Sequence, residues 1–243
     1  YDVGYAQGEE AKIRGINTYL SPCVNMVRSP QGGRIWEGFG EDPYLSGVAA
    51  VQMIKGIQDA GVIATVKHFV GNDQEYKRMS SSSNIEMQAL MDIYVEPFYR
   101  AIKYGNVGSV MAAYNALNGI HCHESEFLLT DILRGILDFK GFVVSDWWSV
   151  KNDSPDSFNA GLDLNMPGGK AWGTRGIGRK NSYWSNFEEY VNNGDIAEER
   201  VDEAVTRLIA AMYQLNQFDN YPDVDLYRET KTERNKLIQR KAA

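Results

Sequence analysis

Short apolar runs that alternate with helical patterns limit what this chain can fold into. The apolar runs occupy residues 16–22, 62–69, 107–114 and 141–147, with a weaker one at 161–167. They are mostly apolar on both faces, which is typical of strands in a parallel sheet that is covered on both sides. Helical patterns cover residues 87–105, 128–141 and 195–218. This alternation predicts an α/β fold, either doubly wound or a barrel.

The helical patterns also predict boundaries and buried faces. In 87–105 we expect a kink at Pro97 and an apolar face formed by Leu90, Tyr94, Phe98 and Ile102. For 128–141 the pattern predicts burial of Leu133, Ile136 and Leu137. The third pattern opens with Asp195 and Glu198 in capping-box spacing, and its predicted stripe is Val201, Val205, Leu208, Met212 and Leu215. Glu41 and Asp42 are interpreted as structural residues of a turn before a helix.

Charge and length exclude several classes of function. The chain has 243 residues and a net charge of -7, and no run of Lys or Arg occurs, so nucleic acid and an anionic membrane are not expected as partners. No apolar stretch approaches the roughly 20 residues that span a bilayer. Two distant cysteines, Cys23 and Cys122, have neither metal nor redox spacing and exclude a disulfide scaffold.

Both ends of the sequence resemble the interior of a longer protein. Residues 6–14 have a helical pattern without a starting cap, and the last residues have helix-forming composition without a stop signal. We therefore expect a fragment, with residues 1–219 as part of a catalytic domain and residues 220–243 as a linker toward a second domain.

Polar and aromatic side chains follow the predicted strands, where active sites of both α/β architectures lie. Lys67 and His68 end the second strand, Tyr114 follows the third, and Asp146 and Trp147 follow the fourth. Each has an ordinary structural interpretation: a turn-forming aspartate, a core histidine, a lysine that extends to solvent. Together they form a carboxylate among hydroxyl-binding donors and aromatic rings, which favours glycosyl transfer through a covalent intermediate.

Other chemistries lack their patterns. The glycine-rich segments 32–34 and 167–170 match no phosphate-binding motif, and no serine-hydrolase elbow occurs. His121 and His123 alternate, yet no metal-binding pattern accompanies them. No cofactor and no metal are therefore expected.

Four segments, in this order, resemble the signature blocks of glycoside hydrolase family 3, and most of all its fungal and bacterial β-glucosidases. They are "GGRIWEGFGEDPYL" (32–45), "VKHFVGNDQEYKR" (66–78), "GSVMAAYNALNG" (108–119) and "GFVVSDWW" (141–148). The likeness extends over roughly residues 1–220.

The resemblance implies a (β/α)8 TIM-type barrel, incomplete in this chain, and retaining hydrolysis of terminal β-glucosyl residues of cello-oligosaccharides. Asp146 would be the nucleophile and Trp147 a wall of the glucose subsite. The sugar hydroxyls would be bound by Arg34, Lys67, His68 and Arg78. Tyr114 would steady the nucleophile, and Met111 would line the pocket. The family also implies secretion.

Two partners of such a site are expected outside this chain. Retaining hydrolysis needs a second carboxyl about 5–5.5 Å from the first, which in this family is a glutamate of a C-terminal domain. An aspartate that binds the distal hydroxyls would precede Tyr1. We therefore expect the isolated chain to be inactive.

Three alternatives remain open. A β-xylosidase of the same family is disfavoured because Trp147 stands where that branch tends to carry cysteine. The N-acetylglucosaminidases of the family carry "KHFPGHG" where this chain has "KHFVGNDQE", so that activity is not supported. A non-catalytic carbohydrate-binding subunit would have the same pocket without turnover. A lyase that forms a Schiff base at Lys67 also suits an α/β barrel.

Overall fold

A four-stranded parallel sheet organises the chain. The computed structural model describes residues 1–151, 153–168, 186–219 and 232–242. The strands of this sheet are β1 (Thr18–Tyr19), β2 (Ile63–Phe69), β3 (Ser109–Ala112) and β4 (Phe142–Ser145), and they lie side by side in the order in which they occur along the chain. All four predicted strands are thus confirmed, and the weaker fifth run contributes a parallel bridge between Val144 and Leu164.

The longer helices are α1 (Asp2–Ile13), α2 (Pro43–Asp59), α3 (Glu96–Lys103), α4 (Glu198–Gln214) and α5 (Glu233–Ala242), and shorter ones span Asp156–Asn159 and Phe187–Asn192. On one face of the sheet, Val66 and Val110 belong to a core that includes Ile54 of α2. On the other face, Met111 packs in a cluster that includes Leu208 of α4. The predicted α/β fold of barrel type is confirmed, and the sheet formed by the described residues is an open arc.

Local signals place α2 and the start of β4. The carboxylate of Asp42 accepts a hydrogen bond of 2.7 Å from the Leu45 backbone N–H and caps α2, as expected. At Gly141 a Cβ would collide with the carbonyl oxygen of Gly108, so a glycine allows these two strands to begin side by side.

The helical pattern at 87–105 is interrupted near Pro97, as predicted. Met87–Ala89 is α-helical, Leu90–Val95 forms a π-helical segment, and α3 then begins with Pro97 in its first turn. A proline there lacks only an N–H that has no partner within the helix.

Two predictions about helices are wrong. Ile136 ends the π-helical segment Phe127–Ile136 and is 63% exposed, whereas Leu133 and Leu137 are buried. The capping box at Asp195 is not formed, because α4 begins at Glu198 with Ala197 as N-cap. Ile196 is buried in a cluster with Phe158, which holds the chain extended up to Ala197.

The stripe predicted for α4 is partly wrong as well. Val205 is exposed, while Ala204 and Ala211 are buried. The packed face is therefore rotated toward small side chains, which allow the helix to approach its neighbours closely.

A buried carboxylate ties α4 to the sheet. The side chain of Asp163 is 1% exposed and accepts hydrogen bonds from three arginines and from the backbone N–H of Val143 (2.8 Å). The three arginine contacts are Arg134 Nη2 at 2.7 Å, Arg200 Nη2 at 2.8 Å and Arg207 Nη1 at 2.9 Å. Burial lowers the pKa of Arg134 to about 10, while Asp163 favours its charge. This arginine cluster stabilises one edge of the sheet.

At the predicted linker, residues 220–231 lie outside the described residues. Within the rest of it, α5 packs near α1, where the Arg234 guanidinium lies 4.6 Å from the centroid of the Tyr5 ring. Within the described ranges, no helix is both long and apolar enough to cross a membrane.

Candidate active site

The residues predicted for the site surround one cleft at the carboxyl ends of the parallel strands. Lys67 and His68 end β2, Met111 lies on β3, and Asp146 and Trp147 follow β4. Tyr114 comes two residues after β3. Arg34 and Arg78 reach the cleft from loops that follow β1 and β2. Parallel pairing brings these distant residues together, because every strand ends at the same edge.

Asp146 has one oxygen engaged and one available. It is 8% exposed, and its Oδ1 accepts a hydrogen bond of 2.7 Å from the Trp147 backbone N–H. Its Oδ2 accepts no hydrogen bond from the described part of the chain. Burial raises the pKa of Asp146, and the Trp147 N–H and the charges of Arg34 and Arg78 oppose this increase. The free oxygen is what a nucleophile requires.

Tyr114 and Trp147 shape the wall beside this carboxylate. The Tyr114 hydroxyl donates a hydrogen bond of 2.6 Å to the Trp147 backbone carbonyl, and the Arg78 guanidinium lies 4.4 Å from the centroid of its ring. Burial and the charge of Asp146 raise the pKa of Tyr114, so the phenol keeps its proton. Met111 is buried below, in the cluster that includes Trp147.

Two glutamates link the three cations of the cleft. Glu37 accepts two hydrogen bonds from Arg34, at 2.8 and 3.1 Å, and its Oε2 lies 3.2 Å from Lys67 Nζ. Glu75 Oε1 lies 3.8 Å from Arg34 Nη1, and its Oε2 accepts a hydrogen bond of 2.7 Å from Arg78. Burial opposes the charge of Glu37, but its bonds to Arg34 and Lys67 prevail and lower its pKa. The result is an alternating chain of charges.

Glu37 and Glu75 are not among the residues predicted from the sequence. Glu37 follows Arg34 by three residues and Glu75 precedes Arg78 by three. This charge spacing is a local signal that could have found both. Their pairing across two loops depends on the fold.

His68 lies between Asp146 and an amide that the sequence analysis missed. Its ring is 2% exposed, and its Nε2 lies 3.6 Å from Asp146 Oδ2. On its other side, Nδ1 lies 2.9 Å from Oδ1 of Asn25. Burial and the charges of Arg34, Lys67 and Arg78 lower the pKa of His68 well below its usual value. The imidazole is therefore neutral at physiological pH.

A cavity opens beside Lys67. Its volume is about 550 Å³, and Tyr19, Trp36, Phe39 and Glu37 are among the residues that line it. Trp36 is 79% exposed. Aromatic faces next to charged donors are suited to pyranose rings, whose faces are apolar and whose edges carry hydroxyls.

The histidines that alternate near the third strand lie behind Tyr114. The rings of His121 and His123 stack with centroids 5.3 Å apart, and His121 Nδ1 lies 3.2 Å from the Tyr114 carbonyl oxygen. Across the described ranges, no group of three or more His, Cys, Asp or Glu is placed to hold a metal ion.

Known proteins are similar to this chain in both sequence and fold. Residues 1–211 match the family model described as "Glycosyl hydrolase family 3 N terminal domain". The "Probable beta-glucosidase F" of Emericella nidulans is 41% identical over 245 residues, which cover 98% of this chain and 28% of that protein.

Two solved structures are similar as well. The β-D-glucoside glucohydrolase of Trichoderma reesei has a TM-score of 0.89 and 37% identity, covering 98% of this chain and 33% of that one. The β-glucosidase 3B of Thermotoga neapolitana, solved in complex with glucose, has a TM-score of 0.82 and 38% identity over 92% of this chain and 31% of that one. This chain therefore spans about a third or less of the length of these relatives. It belongs to glycosyl hydrolase family 3, and residues 1–211 correspond to the N-terminal domain of that family.

Proposed function

We propose that this chain carries the nucleophile of a retaining β-glucosidase. Asp146 attacks the anomeric carbon of a terminal, non-reducing β-D-glucosyl residue of a cello-oligosaccharide and forms a glycosyl-aspartate intermediate. The observation that carries the proposal is the Oδ2 of Asp146, which accepts no hydrogen bond from the described residues and is buried at a strand end near Arg34, Arg78 and Tyr114. Water then releases glucose with retention of configuration.

The charged groups around Asp146 suit this role. A carboxylate nucleophile must be ionised, and the nearby arginines and the Trp147 N–H favour the charged form against the cost of burial. Arg34, Lys67, His68 and Arg78 bind the hydroxyls, while Trp147 and Met111 shape the sugar subsite. Hydrogen bonds that strengthen in the oxocarbenium-like transition state accelerate the reaction by differential binding.

The acid that protonates the leaving group is proposed to come from a C-terminal domain of the same polypeptide. The two glutamates of the cleft, Glu37 and Glu75, are each ion-paired with arginine. The bonds of Glu37 to Arg34 and Lys67 lower its pKa, and an ionised carboxylate cannot donate a proton. Secretion is part of the proposal, because cello-oligosaccharides arise from a polymer that does not enter cells.

The test is covalent trapping with a dinitrophenyl 2-deoxy-2-fluoro-β-glucoside. Its leaving group needs no acid, so the reagent probes the nucleophile alone. We expect a fluoroglucosyl adduct on the peptide that contains Asp146, located by mass spectrometry. Asp146→Asn should abolish labelling. Asp138→Asn is the matched control, since Asp138 is exposed on the surface and pairs with Lys140.

The other outcomes separate the rival functions. A folded protein that binds glucose but forms no adduct would refute the nucleophile assignment and favour a carbohydrate-binding subunit. Faster labelling by the corresponding 2-fluoroxyloside would favour a β-xylosidase instead.

A further inference from the structure

Asn25, in the loop that follows β1, and His68, near the end of β2, are joined by three hydrogen bonds. Asn25 Nδ2 donates to the His68 backbone carbonyl at 2.9 Å, and Asn25 Oδ1 accepts from the His68 backbone N–H at 3.0 Å. These two bonds determine the orientation of the amide, because a flipped amide would place donor against donor and acceptor against acceptor.

The third bond then assigns the proton on the imidazole. His68 Nδ1 lies 2.9 Å from Asn25 Oδ1, which is already identified as an acceptor. An acceptor at this distance requires a donor, so Nδ1 carries the hydrogen. In a neutral ring the other nitrogen, Nε2, therefore has a lone pair and no hydrogen.

The surroundings of His68 keep the ring neutral. Arg34, Lys67 and Arg78 are cations that lower its pKa, in addition to the effect of burial. The negative charge that faces Nε2 from the described part of the chain is Asp146, whose Oδ2 lies at 3.6 Å. The Cys23 thiol lies 3.9 Å from Nδ1, and burial raises the pKa of this thiol, so it adds no charge.

We propose that Asn25 is a positioning residue that holds His68 as a hydrogen-bond acceptor, so that Nε2 and Asp146 Oδ2 together bind one donor hydroxyl of the sugar. Two acceptors 3.6 Å apart repel each other unless a donor lies between them. A hydroxyl there can direct its proton to either atom. This inference rests on the proposed function for the identity of the ligand.

The arrangement also has a consequence for the reaction. When the Asp146 carboxylate forms the bond to the anomeric carbon, it loses its negative charge and becomes a poorer acceptor. The neutral His68 Nε2 can then accept the hydroxyl's hydrogen bond throughout the step, and no proton is transferred. A histidine with hydrogen on Nε2 would instead donate to Asp146 and occupy the nucleophile.

The first test is the protonation state of His68 in the ligand-free protein. Long-range ¹H–¹⁵N NMR of ¹⁵N-histidine-labelled protein distinguishes the two tautomers and the imidazolium, and His68→Gln identifies the signals. We expect hydrogen on Nδ1 only, at neutral pH. Hydrogen on Nε2, or on both nitrogens, would overturn the inference.

The second test compares variants. Asn25→Ala should give a mixture of tautomers, because it removes the acceptor that Nδ1 faces. Asn115→Ala is the matched control: Asn115 is a more deeply buried amide, and it donates to the Val70 carbonyl rather than to His68. Asn115→Ala should leave the His68 tautomer unchanged. An unchanged tautomer in Asn25→Ala would overturn the assignment of Asn25, and wild-type spectra decide the tautomer even if that variant does not fold.

The third test uses deoxy-β-glucosides with the full-length polypeptide, which supplies the proposed acid, as wild type and as Asn25→Ala. Removal of the bridging hydroxyl should lower kcat/KM about 10- to 100-fold in the wild type, because two buried acceptors lose their donor. The same removal should cost the variant much less. Equal losses in both proteins for every hydroxyl would contradict the bridging role. Failure of the proposed function would appear as absence of turnover, which the NMR result does not depend on.

Discussion

Replacing Asp163 by asparagine is expected to destabilise the protein by about 3–5 kcal/mol, the typical cost of breaking a buried ion pair. Asp163→Asn keeps the shape of the side chain but removes the charge that three arginines share. The side chains of Arg134 and Arg200 are each only 14% exposed, so water cannot replace the lost counter-ion. The new amide would also place a donor against a guanidinium.

The measurement is urea or thermal unfolding of the variant beside the wild type. For a chain of this size, about 2–4 °C of Tm corresponds to each kcal/mol, so Tm should fall by about 6–20 °C. The control is Glu203→Gln, because the Glu203 side chain is 57% exposed and forms a surface pair with Arg207. That change should alter stability by about 0.5 kcal/mol or less.

The reasoning would be refuted if Asp163→Asn lay within about 1 kcal/mol of the wild type. Neutral hydrogen bonds and shape would then hold the arginine cluster, and its charge would be irrelevant. A loss in Glu203→Gln as large as that in Asp163→Asn would show that surface charge, and not burial, controls this region.

Three further changes test other contacts. Asp42→Ala removes the N-cap of α2 and should cost about 1 kcal/mol in chemical denaturation, whereas Glu41→Ala, next to it and exposed, should change little; equal effects would argue against capping. Burial raises the pKa of Asp73 to about 6 from a usual value of 3.8, so its charge opposes folding above about pH 6 and that penalty disappears toward pH 4. Asp73→Asn should therefore stabilise the protein by about 1–3 kcal/mol at pH 7–8 and not at pH 4, and a loss of stability at pH 7 would contradict this sign. Arg78→Met removes a charge that lowers the pKa of Asp146, so the acidic limb of kcat/KM of the full-length polypeptide should move to higher pH; no movement would exclude this electrostatic role.

Local patterns in the sequence predicted the four strands of the parallel sheet and the strand ends where the candidate site lies. Each strand is a short apolar run that a buried parallel sheet requires, and the C-terminal ends of parallel strands must meet at one edge. This rule predicts that Lys67, His68, Tyr114 and Asp146 lie in one cleft. Asp42 was likewise predicted from its position before a helix.

The buried residues of the helices were harder to predict from the sequence, because periodicity identifies an apolar stripe but not the neighbouring element that covers it. Ile136 fits the predicted stripe, yet it lies at the end of a π-helical segment, where the wider turn rotates it to solvent. Asp195 and Glu198 have the spacing of a capping box, but burial of Ile196 delays the start of the helix.

Only the tertiary structure decided which side chains support the site. Asn25 is separated from His68 by 43 residues, and in the sequence it is an ordinary loop asparagine. Glu37 joins Arg34 to Lys67 across two strand ends, and Asp163 binds one arginine of the π-helical segment and two arginines of α4. Hydrogen bonds and ion pairs act over a few ångströms, and such distances between remote parts of a chain exist only after folding. The sequence by itself thus determined the strands and the polar groups at their ends, whereas the fold determined which other side chains contact those groups.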